Sequence, residues 1–376
     1  MEKLTPNLPS ASYRCVVEVP EPQSCRGNNF AKAAKWSPDG SVALAVHDDE
    51  LLRLYQVPFG EDLEGGSLCP YASAAEGGAV LDFCFFPSFT WEYPATCCFI
   101  TSSQDHPIHL RDAVTGELRN SYRPFNQVDE VCHASSLCFS TDGSKIIGGF
   151  PFYLRVFDLQ RPGRQVEDWL LSTKKGTGQK GIIGAVASSP QQGVYAAGSY
   201  HGNVAVYQEG SKGKALGRLS EKGMGGVTQL MFVDEYLLLS GHRKDQYLRM
   251  WDLRMLGDSQ KALLNRFPRQ VRTHQRMLFG IQGDLVSFGD DQGAVRLFSL
   301  SSFEELVSFP AHQRPCTAAT LRRESTNGKS GDLLSCSGSR HFPNYDVDSP
   351  NELPAEQVKR PRLENTLKAS DVPFLE

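Results

Sequence analysis

The chain has 376 residues, room for two or three ordinary domains or for one large repeat fold. Its 40% hydrophobic and 22% charged content is that of a globular protein, and its net charge of −4 gives no global basic field, so nucleic-acid binding would need a local patch. No apolar run approaches the roughly 18 residues of a membrane span, and the opening MEKLTPNLPSASYRC lacks the apolar core of a secretory signal.

In chain order, residues 1–9 read as disordered and YRCVVEV (13–19) as a strand with no partner of its own. Six similar units follow. Their β-rich ends, RLYQV, HLRDA, RVFDL, VAVYQ, RMWDL and RLFSL, begin at residues 53, 109, 155, 204, 249 and 296, so they lie 45 to 56 residues apart. That is the period of a β-propeller blade with slack for loops. Each unit has the same internal order. KWSPDG (35–40) and LCFSTDG (137–143) pair a strand with turn chemistry. VALAV (42–46), KIIGGF (145–150) and VYAAGS (194–199) supply small, apolar second strands, suited to the crowded centre of a propeller. A polar turn then leads to the strand that ends the unit.

A seventh unit is weaker: CTAATL (316–321), the polar insertion ESTNGKSG, and DLLSCSGS (332–339), with no outer strand nearby. Residues 13–19 are the expected source of that strand, a clasp that closes the ring and protects sheet edges. The fold expected is all-β: a seven-bladed WD40-type β-propeller over 10–345, with a short disordered C-terminal tail over 346–376. The alternative of two β-domains would place a linker near STKKGTGQKG (172–181), but the period runs on across it. VKRPRLE (358–364) in the tail gathers three cations around a proline, the pattern of a nuclear import signal.

The motifs of catalysis are absent: no Walker loop, no G-x-G-x-x-G leading into a helix, no H-E-x-x-H, no G-x-S-x-G. His106 and His109 stand three apart, on opposite faces of a regular strand, so no metal site is expected. The pairs Asp48/Asp49 and Asp290/Asp291 read as solvated hairpin tips. The ten cysteines form no C-x-x-C pair and read as buried, reduced thiols of an intracellular protein. The expectation is a binding platform that is not an enzyme and carries no cofactor.

One face of a propeller collects the loops that lead into each first strand and those that join second and third strands. Here the leading loops carry Lys32, Lys35, Lys174, Lys175, Lys180, Lys222, Arg272, Arg276 and Arg314, opposed by Asp129, Glu130 and Glu221. Such a bias in an acidic chain points to an anionic partner. Phe30, Asn29, Asn126, Gln179 and Gln275 lie beside these charges, with the rings and amides that read single-stranded RNA. The tip Arg243-Lys244-Asp245 of the fifth unit projects onto the same face. A protein-interaction scaffold without direct RNA binding is the alternative.

The stretches NNFAKAAKWSPDGSVAL, HPIHLRDAVTGELRNSYRPFNQVDEV, FDLQRPGR, LLSGHRKDQYLRMWDLR, the THQR segment and GAVRLFSL resemble, in order over roughly residues 28–340, the telomerase Cajal body protein family of WD-repeat RNA-binding proteins. The resemblance implies a propeller that recognises a short loop motif, the CAB box, in small Cajal-body RNAs and in some telomerase RNAs, supporting RNP localisation and telomerase assembly. It implies as partners box H/ACA or C/D RNP proteins such as dyskerin, then coilin, and a chaperonin for folding. It also implies a monomer resident in the nucleus, in Cajal bodies or nucleoplasm, with a cytoplasmic pool and no membrane contact. The positions that match its motifs are Phe30, Lys35, Arg243, Lys244, Asp245, Gln275 and Arg276. Lys180 joins them from the charge pattern. Arginine there suits phosphate or guanine edges; Phe30 suits either stacking or a core anchor; Asp245 suits orienting Arg243. The long polar N-terminal extension expected of animal members does not precede the first unit, and the last unit is interrupted.

Overall fold

The computed structural model describes residues 14–18, 29–56, 69–172, 178–322, 330–338 and 367–373. The described residues are almost entirely strand and turn; their helices are the single turns Leu253–Met255 and Ser259–Ala262. The architecture is a WD40-type β-propeller.

Five blades are discrete sheets. The first runs Ala31–Trp36, Val42–His47, Leu51–Gln56 and Ala72–Ala75 from inside to outside, each strand antiparallel to the last. The second spans Val80–Phe85 to Leu118–Arg123 and gains a fifth, parallel strand from Gly163–Arg164. The third spans Ser136–Phe139 to Glu167–Leu170, the fourth Ile183–Ser188 to Ala215–Leu219, and the fifth Val227–Phe232 to Leu263–Pro268.

The second strands are buried on both faces: all six residues of Val42–His47 and of Val194–Ser199 are buried, because each is packed against a neighbouring blade on either side. The outer strands alternate with period two, as in Leu263–Pro268, since only one face meets protein. Apolar clusters fill the seams. Phe139 and Phe157 meet Ile100 and Leu110 between the second and third blades, and Trp169, Tyr195 and Tyr207 fill the next seam.

The expectation of seven separate blades is not met. Beyond the five discrete blades, the remaining strands form one eight-stranded sheet, because Leu278–Gln282 pairs in parallel with Cys316–Leu321 through Leu278↔Ala318 and Phe279↔Ala319. Gly280 is what permits this approach. A Cβ there would lie 2.9 Å from the Thr320 Cα, so only a residue without a side chain lets these two inner strands approach closely enough to share hydrogen bonds.

The far edge of this sheet also departs from expectation. Ser330–Ser337 pairs with Leu367–Pro373, which the sequence reading leaves in the tail, and that strand pairs with Arg14–Glu18. Ala31, Ala43 and Tyr55 of the first blade pack with Leu334, Cys336 and Leu367, so the ring closes on itself. The basic run 358–364 and residues 1–9 lie outside the described residues.

Candidate nucleic-acid interface

The turns that set up the opposite end of the strands have one geometry. Asp39 accepts from the Ser37 hydroxyl (2.6 Å) and the Ser41 amide (3.0 Å), and Asp142 repeats this with Ser140 (2.6 Å) and Ser144 (3.0 Å). Gly40 and Gly143 follow them at φ +71° and +72°.

At the centre of the ring the structure brings Lys35 and Arg276 together on a residue that sequence reasoning missed. Asp82 is buried and accepts from Arg276 Nη1 (3.0 Å) and from the Leu137 amide (2.9 Å), with Lys35 Nζ 3.6 Å away. Arg276 also donates to the carbonyls of Thr228 and Leu81, both at 2.9 Å. Lys35 donates to the Phe83 carbonyl (2.6 Å) and stands 4.4 Å above the Phe83 ring. Burial would raise the Asp82 carboxyl, but Arg276 and Lys35 outweigh it and hold it below the usual range. Residues from four of the five blades and from the segment leading into the eight-stranded sheet thus meet at one ion cluster across the channel. Lys35 and Arg276 are engaged there and do not form a free cationic surface. The sequence signal was a lone carboxylate inside the apolar run VLDFCF.

The Arg243-Lys244-Asp245 tip divides by role. Asp245 is buried and accepts from Arg249 Nη1 (2.8 Å) and from the amides of Tyr247 (3.1 Å) and Gly225 (3.4 Å), so it braces Arg249 rather than Arg243. Beneath it, Trp251 Nε1 donates to Ser240 Oγ (2.8 Å), which meets His242 Nε2 at 2.8 Å. Arg243 lies 4.2 Å over the Tyr200 ring and donates to its hydroxyl at 3.0 Å, which presents a flat guanidinium on an aromatic support. Lys244 is exposed at φ +48°, the point of the turn.

The other expected residues are dispersed. Phe30 is buried, and a Cβ at Gly338 would touch it, so it acts as a core anchor. Gln275 donates to the Gly338 carbonyl (3.2 Å) and ties the segment before Leu278 to the last strands. With Phe30, Phe83 and Val80, that segment encloses a largely apolar cavity of about 430 Å³. Gln179 is buried and bonded to Ala197, Asn203 and Tyr207. Lys180 is exposed.

Several acids of this face are neutralised, while Glu130 stays exposed and its carboxylate accepts only from the Asn126 amide (3.0 Å) among the described residues. Asp48 holds Lys32 (2.8 Å), Asp129 holds Arg164 (2.6 Å), and Glu221 holds Arg249 (2.5 Å) and Arg266. Lys180, Lys222, Lys244 and Arg272 are exposed and have no ion pair among the described residues. Lys174 and Lys175 lie outside the described residues.

The aspartate pairs are not solvated tips. Asp49 chelates Arg53 and caps Leu51, and Asp290 is buried, accepting from the Gln292 and Ala294 amides (both 2.9 Å). His109 bonds Glu76 (2.8 Å) while His106 turns to the Gln104 carbonyl (2.7 Å). Among the described residues no cluster of side chains is arranged to hold a metal ion. Burial pushes the Cys98 and Cys336 thiols up to about 11 and 12, so both rest protonated.

No protein-family profile matches the chain. It is similar to Telomerase Cajal body protein 1 of Bos taurus, 36% identical over 353 residues, 90% of this chain and 62% of the relative. The Homo sapiens protein of the same name is 37% identical over 335 residues, 85% of this chain and 59% of the relative. The Telomerase Cajal body protein 1 homolog of Drosophila melanogaster is 30% identical over 348 residues, 87% and 60%. The chain therefore spans about three fifths of the length of the curated relatives it matches.

Proposed function

The chain belongs to the telomerase Cajal body protein family, and on that premise we propose that it binds a short single-stranded loop, the CAB box, of small Cajal-body RNAs and of telomerase RNA. The observation that carries this reading is the charge pattern of one face: Asp48, Asp129 and Glu221 paired off, Lys180, Lys222, Lys244 and Arg272 left exposed, and the Arg243–Tyr200 stack among them. Unpaired cations supply phosphate contacts, and a guanidinium plane supports an unstacked base. The protein works in the nucleus, in Cajal bodies and nucleoplasm, with H/ACA or C/D RNP proteins such as dyskerin, and with coilin.

The test is direct. A Lys180→Glu, Lys222→Glu, Lys244→Glu variant should lose at least about tenfold in affinity for a stem-loop RNA whose loop carries a CAB box, measured near 0.15 M salt. Its melting temperature should stay close to that of the parent, since all three side chains are exposed. Undiminished affinity in a natively folded variant would exclude this face as the RNA surface.

A second reading, a protein-binding scaffold, is favoured by the exposed apolar residues Val128, Val131, Phe152 and Ile182 around the third blade. Purified protein free of nuclease-sensitive absorbance at 260 nm, with stoichiometric protein partners, would support that reading instead.

A further inference from the structure

Six arginines are buried in the described structure, and five of them have a carboxylate partner: Arg53 with Asp49, Arg111 with Glu76, Arg155 with Asp168, Arg249 with Asp245, and Arg322 with Asp332. Arg269 is the exception among the described residues. It is 2% exposed, donates only to the backbone carbonyls of His242 (3.0 Å) and Met277 (3.5 Å), and leaves its Nε without a partner. The nearest acid to influence it, Asp245, is already bonded to Arg249. A buried guanidinium without a counter-charge is costly unless an anion is supplied from outside.

The place where that anion would sit is a small pocket of about 220 Å³ at the seam between the fifth blade and the eight-stranded sheet. Arg269, Arg272 and Arg296 line it together with Gln246, Tyr247 and Gln270, and no carboxylate does. Arg296 is also under-partnered. Its Nε lacks a hydrogen bond, and its nearest acids, Asp290 and Glu305, stand at 3.9 and 3.8 Å, beyond hydrogen-bonding distance. Arg272 is exposed and uses only its amide, on Asp291 (3.0 Å).

We propose that this three-arginine pocket holds one phosphate of the bound RNA backbone. The inference rests on the RNA reading above and adds a defined subsite to it. The choice of an RNA phosphate over the single phosphate of a modified peptide follows from position. Gln246 directly follows the Arg243-Lys244-Asp245 tip, and the Lys244 amide bonds the Thr273 carbonyl (3.3 Å), so the pocket continues the row of exposed cations. A row of cations ending in a guanidinium-lined pocket matches a polyanion.

The test couples protein and RNA changes. The CAB-box stem-loop is made with a neutral methylphosphonate at one loop linkage at a time. Binding is measured to the parent protein and to an Arg272→Gln, Arg296→Gln variant, with Arg272→Gln alone as a second variant should the double substitution impair folding. One linkage should cost the parent about tenfold, and the same linkage should cost the variants clearly less. Full RNA affinity with no linkage coupled to these arginines would overturn the pocket and leave the RNA reading standing. Absence of RNA binding by the parent would overturn both. A phosphoserine peptide bound by the parent, lost in the variants and unaffected by competing RNA would assign the pocket to another class of partner and overturn the proposal.

Discussion

His47 and His242 are buried in the second strands of their blades, and burial holds both near 4, against an ordinary 6.5. Below 6.5 the unfolded chain takes up protons that the folded one refuses. Their contribution is therefore complete above pH 6.5 and is lost progressively as pH falls toward 4, by up to about 3 kcal/mol for each ring. Glu76 acts in a lower window. Burial would raise it, but the bonds from His109 and Thr101 and the charge of Arg111 hold it near 2, so its contribution disappears only as pH falls from 4.5 toward 2. Denaturant midpoints at pH 7 and pH 5 therefore isolate the histidines, and the midpoint should be clearly lower at pH 5. Equal midpoints would mean that neither ring is buried in its neutral form. Neither histidine was marked by the sequence, because burial depends on which blade faces which. Asp82 was more legible, as a carboxylate in an apolar strand, yet nothing in VLDFCF names Arg276, 194 residues away, as its partner.

Strand Leu367–Pro373 is the element whose removal tests the closure of the ring. It lies between Ser330–Ser337 and Arg14–Glu18, and its Leu367 packs against the first blade. Lys368 Nζ also reaches the Ala311 carbonyl at 3.1 Å. Ending the chain after residue 366 would expose the ladder of Ser330–Ser337 as an open sheet edge. The truncated protein should melt several degrees lower and aggregate on heating, as followed by circular dichroism and light scattering. A shortened chain with the parent's melting curve would show that the strand does not carry the closure. The sequence points to a closing strand at 13–19 but not to a second one, because the pairing of LKASDVP depends on a partner far away in the chain.

The whole ring acts as a rigid support, its seams filled by apolar side chains and its channel crossed by the Lys35–Asp82–Arg276 cluster. On such a support the exposed cations hold fixed relative positions, so binding should follow counterion release. With Lys180, Lys222, Lys244 and Arg272 each meeting one phosphate, log affinity for single-stranded RNA should fall against log salt with a slope of about −3. A slope near zero in a salt titration would point to recognition without these charges.

Strand identity, blade period, turn chemistry and the apolar second strands were set by the sequence alone, because they depend on neighbours two to ten residues away. Which loops carry the cations was legible too, since loop position follows from strand order. Which cations remain free was decided only in the tertiary structure. Lys35 and Arg276 looked like Lys244 and Arg272 in sequence, but the ring brings the first two onto Asp82 and leaves the others in solvent. The same holds for the eight-stranded sheet, which depends on Gly280 facing Thr320, and for Arg269, whose missing carboxylate is visible only once every buried arginine has been placed beside its partner. Hydrogen bonds and ion pairs act over a few ångströms in space, and only folding determines which distant residues come within that range.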